Sequence, residues 1–186
     1  METIVLSGKK ELDIYMNPQR QNILRQMQIV GEPMTAKQIA DQIGISASSV
    51  QHHIRLLAEL GIVEQSHTAQ IHGITATYFR ALPKTVQIGS LMADEHSNQR
   101  VALMQANLNG TFNRFVDYCA ASSAETIGEN QFGDLLSGIT HLNPDEAKAL
   151  YALLAHFLQA HEAASEGSSA WEYALLAYPV SEKSHA

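Results

Sequence analysis

The segment from Thr35 to Arg80 constrains the fold more than any other part of the sequence. It contains two short amphipathic patterns that are joined through Gly44, and two strand-like runs follow them. Apolar residues that recur every three to four positions predict a helix, and alternating apolar residues predict a strand. The segment therefore predicts two consecutive helices followed by a β-hairpin.

The first helix of this pair has a clear start and a clear end. Thr35 and Gln38 have the spacing of a capping box, in which each side chain satisfies a backbone N–H of the other residue. Gly44 ends the helix, because glycine readily adopts the left-handed conformation of a tight turn. Ser46 is a favourable N-cap for the second helix, which we expect to extend to about Leu60.

The second helix has one apolar face and one polar face. On a helical wheel of about 100° per residue, Val50, Ile54 and Leu57 fall together, so we expect them to face the core. The other face carries hydroxyl, amide, imidazole and guanidinium groups, which contact base edges and phosphates in the major groove of DNA. An ordinary solvated helix face is the alternative. The candidate DNA contacts of this helix are Ser46, Ser48, Ser49, Gln51, His52 and Arg55.

The two strand-like runs cover residues 62–65 and 75–79, and we interpret residues 66–74 between them as a loop with Gly73 near its turn. The loop contains no Lys or Arg, so its expected contacts with DNA are neutral hydrogen bonds. Arg80 is expected to contact a phosphate, and a surface salt bridge is the alternative. The candidate DNA contacts of this wing are His67, Gln70, His72 and Arg80.

The order helix, turn, helix, hairpin is typical of a winged helix-turn-helix, which places its second helix in the major groove. Residues 46–63 contain Val50, His53, Ile54 and Leu57, and the run Gly-Ile-Val follows from residue 61. With this spacing, residues 12–82 resemble the ArsR-type winged-helix repressors. The resemblance implies a homodimer that binds operator DNA and releases it when an effector binds.

The metal sites of the ArsR-type proteins are not expected in this chain. Their thiolate sites need paired cysteines, and Cys119 is the only cysteine. Asp94 and His96 match the first half of their zinc site, but Asn107 and Gly110 occupy the later positions. Because the sequence also contains no nucleophile motif, P-loop or dinucleotide fingerprint, we expect neither a cofactor nor an enzyme.

The charge of the chain is divided unevenly between its two parts. The net charge is −7, which by itself disfavours binding to DNA. Residues 1–84 contain eight Lys and Arg and seven Asp and Glu, whereas residues 85–186 contain four and twelve. The acidic part is therefore expected to face away from DNA.

Residues 85–186 predict a second domain. Apolar residues recur at helical spacing along a long helix, which we expect to pack against its twin in a second subunit; packing inside its own domain is the alternative. A second amphipathic helix is predicted from Pro144 to about Ala164, and residues 171–180 predict a final strand. Cys119 is expected in a core rather than as a nucleophile, and the aromatic residues of this part are expected in a core with a ligand pocket as the alternative. The repeating residues of the long helix are Val101, Met104, Leu108, Phe112, Phe115 and Cys119.

The predicted fold class is mainly α with a small β component (α+β). A winged helix-turn-helix DNA-binding domain is expected over residues 1–84, with a domain boundary within residues 82–89. A long helix and a small α+β module for dimerisation and effector binding are expected over residues 85–186. Residues 3–6 are short and apolar, and they predict either an added strand of the wing sheet or a tail.

The predicted function is a sequence-specific, DNA-binding transcriptional regulator. We expect a homodimeric repressor that binds double-stranded DNA and responds to an unknown small effector. A winged-helix protein-interaction module without DNA binding is the alternative. One cysteine, no apolar run of membrane-spanning length and no signal-peptide pattern predict a cytoplasmic protein without a membrane partner.

Overall fold

A computed structural model describes residues 3–6, 8–88, 94–121 and 133–180. The contacts divide the chain into two units, one of residues 1–103 with 136–170 and one of residues 104–135 with 171–186. The predicted division at residue 84 stays a prediction. The elements in chain order are β1 (Thr3–Val5), α1 (Lys9–Met16), α2 (Pro18–Val30), β2 (Met34–Thr35), α3 (Ala36–Ile43), α4 (Ala47–Glu59), β3 (Val63–Ile71), β4 (Ile74–Ala81), β5 (Thr85–Gln87), α5 (Ser97–Ala121) and α6 (Pro144–Ala160).

The helix ends of the first unit are fixed by side-chain caps and glycines. Asn17 Oδ1 accepts hydrogen bonds from the backbone N–H of Gln19 and Arg20 at the start of α2. The predicted capping box of Thr35 and Gln38 at the start of α3 is confirmed. Gly44 has φ 73°, so it forms the left-handed turn between α3 and α4 that the sequence predicts.

Helices α2, α3 and α4 enclose the main apolar core. The three α4 residues predicted to face the core, Val50, Ile54 and Leu57, are buried. They pack with Ile39 of α3 and Ile23 of α2, which are both fully buried. Because the apolar face of α4 is held in this core, its opposite face is turned to the surface.

The small sheet of the first unit is antiparallel, with strand order β2-β4-β3. Contrary to the loop predicted for residues 66–74, β3 continues to Ile71 and β4 begins at Ile74. His72 and Gly73 alone form the turn, and both have positive φ, 50° and 81°. Two such residues form the type I′ turn that matches strand twist, so the ladder continues to the tip.

The N-terminal strand belongs to a different sheet from the wing. Strand β1 pairs in parallel with β5, from Thr3 opposite Thr85 to Val5 opposite Gln87. The expectation that residues 3–6 add to the wing sheet or form a tail is therefore wrong, and strand structure does not end at residue 82. Pro83 has no N–H to donate and interrupts pairing with the wing, while the chain after it pairs with β1. Helix α1 and strand β2 are additions to the predicted elements.

The C-terminal part contains the predicted helices, but residues 171–180 form neither helix nor strand. A strand needs a partner for its backbone groups, and no described strand pairs with this segment. Helix α6 ends at Ala160 rather than near residue 164. Contrary to the expected core position, Cys119 is exposed, as are most aromatic side chains of this part. Residues 89–93, 122–132 and 181–186 of the predicted module lie outside the described residues.

Candidate nucleic-acid interface

The polar face of α4 is exposed along its length. Ser48, Gln51, His52 and Arg55 are all exposed, and they lie opposite the buried residues of the same helix. Ser49 is half-buried. This face presents hydroxyl, amide, imidazole and guanidinium groups to solvent, so it is free to meet a ligand as large as a DNA duplex.

Ser46 has a structural task at the N-terminus of α4. Its Oγ accepts a hydrogen bond of 3.2 Å from the Ser49 backbone N–H, and it lies 3.0 Å from the Ser48 hydroxyl. As the predicted N-cap it satisfies one of the backbone donors that every helix start exposes. The small side chains around it leave the positive end of the helix open to an anion such as phosphate.

His53 on the flank of α4 connects the helix to the rest of the unit. Its Nδ1 lies 3.3 Å from Nη1 of Arg20, a residue of α2 that is only 8 % exposed. Arg20 also donates to the carbonyl oxygens of Asp13 and Ile14 at the end of α1. A guanidinium only donates, so Nδ1 of His53 must accept and remain unprotonated. Arg20 thereby joins α1, α2 and α4.

Burial lowers the pKa of His53 below its ordinary value of 6.5, and the nearby charges of Arg20 and His52 lower it further. A protonated His53 would both lose its hydrogen bond with Arg20 and add a second positive charge beside it. The neutral imidazole is therefore the form that supports the packing of α4.

The wing is a long hairpin without a single charged residue between Glu64 and Arg80. His67 stacks on Tyr78 of the neighbouring strand, with ring centroids 4.4 Å apart and planes within 9°. Gln70 Nε2 donates to Thr75 Oγ1 across the hairpin at 2.8 Å. Two of the four predicted wing contacts, His67 and Gln70, therefore also hold the strands together, whereas His72 lies exposed in the turn.

Arg80 forms the salt bridge that was the alternative to a phosphate contact. It lies directly opposite Glu64 in the β3–β4 register, and its Nε donates to Glu64 Oε1 at 2.7 Å. Both side chains are largely exposed. Exposed pairs of this kind contribute little to stability, so the pair can open when a phosphate competes for the guanidinium.

A groove of about 800 Å³ lies between α4 and the wing. Gln51 and Arg55 border it on the helix side, and His72 borders it on the wing side. Lys37 of α3 also lines it, although its side chain forms an ion pair with Asp41. None of the described residues that line the groove is Asp or Glu. The groove thus combines cations with an apolar floor in a chain whose net charge is −7.

The comparisons with known proteins agree with this geometry. Residues 15–66 match the protein family described as "Helix-turn-helix domain". The chain contains a helix-turn-helix domain. Domains of this kind place one helix against the bases of double-stranded DNA in transcription regulators. The match covers α2, α3, α4 and the start of the wing, and it does not distinguish an ArsR-type domain from other types.

A solved structure is also similar to this chain, that of the adhesin competence repressor (AdcR) from Streptococcus pyogenes. The two chains are 14 % identical with a TM-score of 0.34, and the similarity covers 79 % of this chain and 83 % of that one. A TM-score this low carries no argument about the helix-turn-helix domain or its function. No curated protein matches the sequence.

Among the residues that the structure describes, no three or more His, Cys, Asp or Glu side chains are grouped to hold a metal ion. Within the same ranges, no helix is both long and apolar enough to cross a membrane.

The structure brings together several candidate residues that the sequence places far apart. Gln51 and Arg55 of α4 share one groove with His72 of the wing, because the hairpin extends alongside the helix. Sequence reasoning missed Lys37, which the groove also includes. The signal was present, since Lys37 follows the N-cap Thr35 by two residues and so lies in the first turn of α3, the first helix of the helix-turn-helix. The link between His53 and Arg20 had no signal in the sequence, because their contact depends on tertiary packing.

Proposed function

We propose that this chain is a sequence-specific transcriptional regulator that acts as a homodimer on operator DNA in the cytoplasm. Each subunit inserts the exposed face of α4 into a major groove, where Gln51, His52 and Arg55 reach base edges and Ser48 permits close approach. The sugar-phosphate backbone of one strand then lies in the groove between α4 and the wing. Two subunits related by a two-fold axis would bind half-sites roughly 34–36 Å apart, one helical turn of DNA.

The groove between α4 and the wing is the observation that supports this proposal most strongly. Nineteen acidic residues are present in the chain, yet none of those described lines this groove. Phosphates repel carboxylates and attract Lys and Arg, so a surface that meets DNA must exclude acids. This groove borders α4, the second helix of the matched helix-turn-helix domain, and in such domains the second helix enters the major groove.

The resemblance to the ArsR type adds two finer parts to the proposal. The protein would repress transcription, and a small effector would release it from the operator. We propose no catalytic role.

A protein-interaction module is the competing function, and the weak charge of the winged part favours it. Residues 1–84 have a net charge of only +1, and the wing is uncharged between Glu64 and Arg80. Affinity for random duplex separates the two functions. For a DNA-binding protein the logarithm of affinity falls linearly with the logarithm of salt concentration, whereas an interaction module shows no affinity for duplex even at low salt.

Selection of duplexes from a random pool, followed by affinity measurement, tests the proposal. Replacing Arg55 by Ala should weaken binding to the selected duplex by about 1–3 kcal/mol. Lys148→Ala, which removes one exposed cation from α6, is the matched control and should leave affinity unchanged. If the folded Arg55→Ala protein binds the selected duplex as tightly as the wild type does, α4 is not the reading helix.

A further inference from the structure

The tip of the wing is apolar where a DNA-binding wing would be expected to carry cations. Ile71 and Ile74 flank the turn, face each other in the β-ladder and are 42 % and 73 % exposed. Exposure of two neighbouring isoleucines at the outermost point of a hairpin is unfavourable, because apolar area that stays in contact with water costs roughly 25 cal/mol per Å². Single exposed apolar residues are ordinary, but this pair forms a continuous apolar edge on the groove that α4 also borders.

The hairpin holds this pair in a defined position. The turn of His72 and Gly73 is the shortest that joins two antiparallel strands, and both residues adopt the positive φ that it requires. Immediately behind the pair, the side chains of Gln70 and Thr75 are hydrogen-bonded across the strands at 2.8 Å. The tip is therefore a stiff apolar projection rather than a flexible loop.

The tip is part of the same surface as the reading helix. Ile71 and Ile74 line the groove that Gln51 and Arg55 border. From Gln65 to Ile71 the hairpin extends for about 20 Å at the usual rise per strand residue. The major and minor grooves on one face of a duplex are offset by about half a helical turn, roughly 17 Å. A hairpin of this length is long enough to span that offset when α4 lies in the major groove.

We propose, on the basis of the proposed DNA-binding function, that Ile71 and Ile74 insert into the minor groove and pry apart one base step. The uncharged hairpin neither repels the phosphates nor gains attraction from them, so its contact must come from apolar surface and shape. Apolar side chains that enter the minor groove unstack a step and kink the duplex by about 20–90°. The preferred steps are TA and CA/TG, which deform most easily. The wing thus selects sequence through deformability instead of hydrogen bonds.

Energy transfer between dyes at the two ends of a short duplex measures the kink directly. The duplex is one that the wild-type protein selects from a random pool. Wild-type protein should shorten the distance between the dyes. The variant Ile71→Ser/Ile74→Ser should bind about tenfold more weakly and leave the duplex straighter, since the wedge is lost while α4 is intact. Ile29→Ser is the matched control, because Ile29 lies on α2 with the same 42 % exposure as Ile71.

A second arm changes the DNA instead of the protein. Replacing the flexible step under the wing by a GC step should lower wild-type affinity several-fold and leave the affinity of the double variant nearly unchanged. Equal affinity and equal bending for wild type and double variant would overturn the proposal. A lower sedimentation mass of the double variant would also overturn it, because the tip would then be a subunit contact. Failure of the wild type to bind any duplex would instead refute the DNA-binding function.

Discussion

The winged part of this chain, residues 1–84, buries many of its apolar residues, whereas the C-terminal part, residues 85–186, leaves most of its described large apolar residues exposed. In the winged part, twelve apolar side chains from α2, α3, α4 and the neighbouring strands form one buried cluster. Helix α6 buries none of its residues, and α5 buries only Arg100 and Leu103 near its start. The large apolar residues that remain exposed on the two helices include Val101, Leu108, Phe112, Val116, Leu150, Leu153 and Phe157.

The winged part thus buries apolar residues of its own, whereas the described helices of the C-terminal part leave theirs exposed. The cluster of the winged part removes enough apolar surface from water to support a small domain. The exposed residues of α5 and α6 form apolar faces that the described residues of one chain leave uncovered. Those faces are consistent with the proposed homodimer, and the net charge of −8 of residues 85–186 disfavours DNA as their partner.

The largest effect should follow from charging the exposed face of α5. Leu108 and Phe112 are 38 % and 56 % exposed and lie one helical turn apart. Replacing both by Glu should produce monomers, because two like-charged helices cannot bury this face against each other. Affinity for the selected duplex should then fall to the non-specific level, about 10³-fold or more, because one half-site alone remains. Sedimentation and DNA titration measure both effects.

Ala106→Glu/Asn113→Glu is the matched control, since Ala106 and Asn113 are both exposed and the helical period places them on the other side of α5. It adds the same charge and should leave the dimer intact. A wild-type protein that sediments as a monomer at micromolar concentration would remove the reason for the proposed interface.

Replacing one leucine by alanine in each part compares how much each leucine contributes to the free energy of unfolding. Leu57 of α4 is fully buried, so Leu57→Ala should lower the free energy of unfolding by about 2–5 kcal/mol. Leu153 of α6 is 66 % exposed in the single chain, so Leu153→Ala should change it by less than about 0.5 kcal/mol in the monomeric Leu108→Glu/Phe112→Glu protein, and by more in the proposed wild-type dimer where a second subunit covers α6. Denaturant titration at micromolar protein concentration measures both. A larger cost for Leu153→Ala would show that α6 is covered in the assembled protein.

The smallest expected effect is on the pH dependence of the free energy of unfolding, and it distinguishes His53 from an exposed histidine. The folded protein holds the pKa of His53 below 6.5, so the unfolded chain takes up the proton first as pH falls. The stabilisation is complete above pH 6.5 and is lost as pH falls through the folded pKa. The free energy of unfolding should therefore decrease less between pH 8 and pH 5 in His53→Gln than in the wild type. His156→Gln, at an exposed position of α6, should follow the wild-type curve.

Sequence reasoning was most successful where local chemistry decides the structure. Thr35, Gly44 and Ser46 fix helix ends through caps and a left-handed turn, and these signals depend only on neighbouring residues. The buried face of α4 followed from helical period alone. The exposed face followed as its complement, and Ser48, Gln51, His52 and Arg55 lie on it, while their contact with DNA stays a prediction.

The errors arose where a distant partner decides the structure. His72 and Gly73 form a two-residue turn because the strands on either side of them pair as far as Ile71 and Ile74. The sequence alone suggested a longer loop. Residues 171–180 have an alternating apolar pattern but no described strand beside them, so the pattern alone does not make a strand. Arg80 lies opposite Glu64, and only the register of the hairpin reveals this. Whether the C-terminal part forms dimers or binds an effector depends in the same way on a partner outside the single chain.

The parallel pairing of β1 with β5 closes the winged part into a ring. The first strand of the chain and the strand that follows the wing are held side by side, although the whole helix-turn-helix domain and its wing lie between them in sequence. Closing a loop of this length costs chain entropy, but the cost grows only with the logarithm of its length. Because β1 and β5 pair with each other, the separation of one strand from this sheet also frees the other strand. A fusion partner or truncation placed before residue 3 acts on the exit of the wing as directly as on the N-terminus itself.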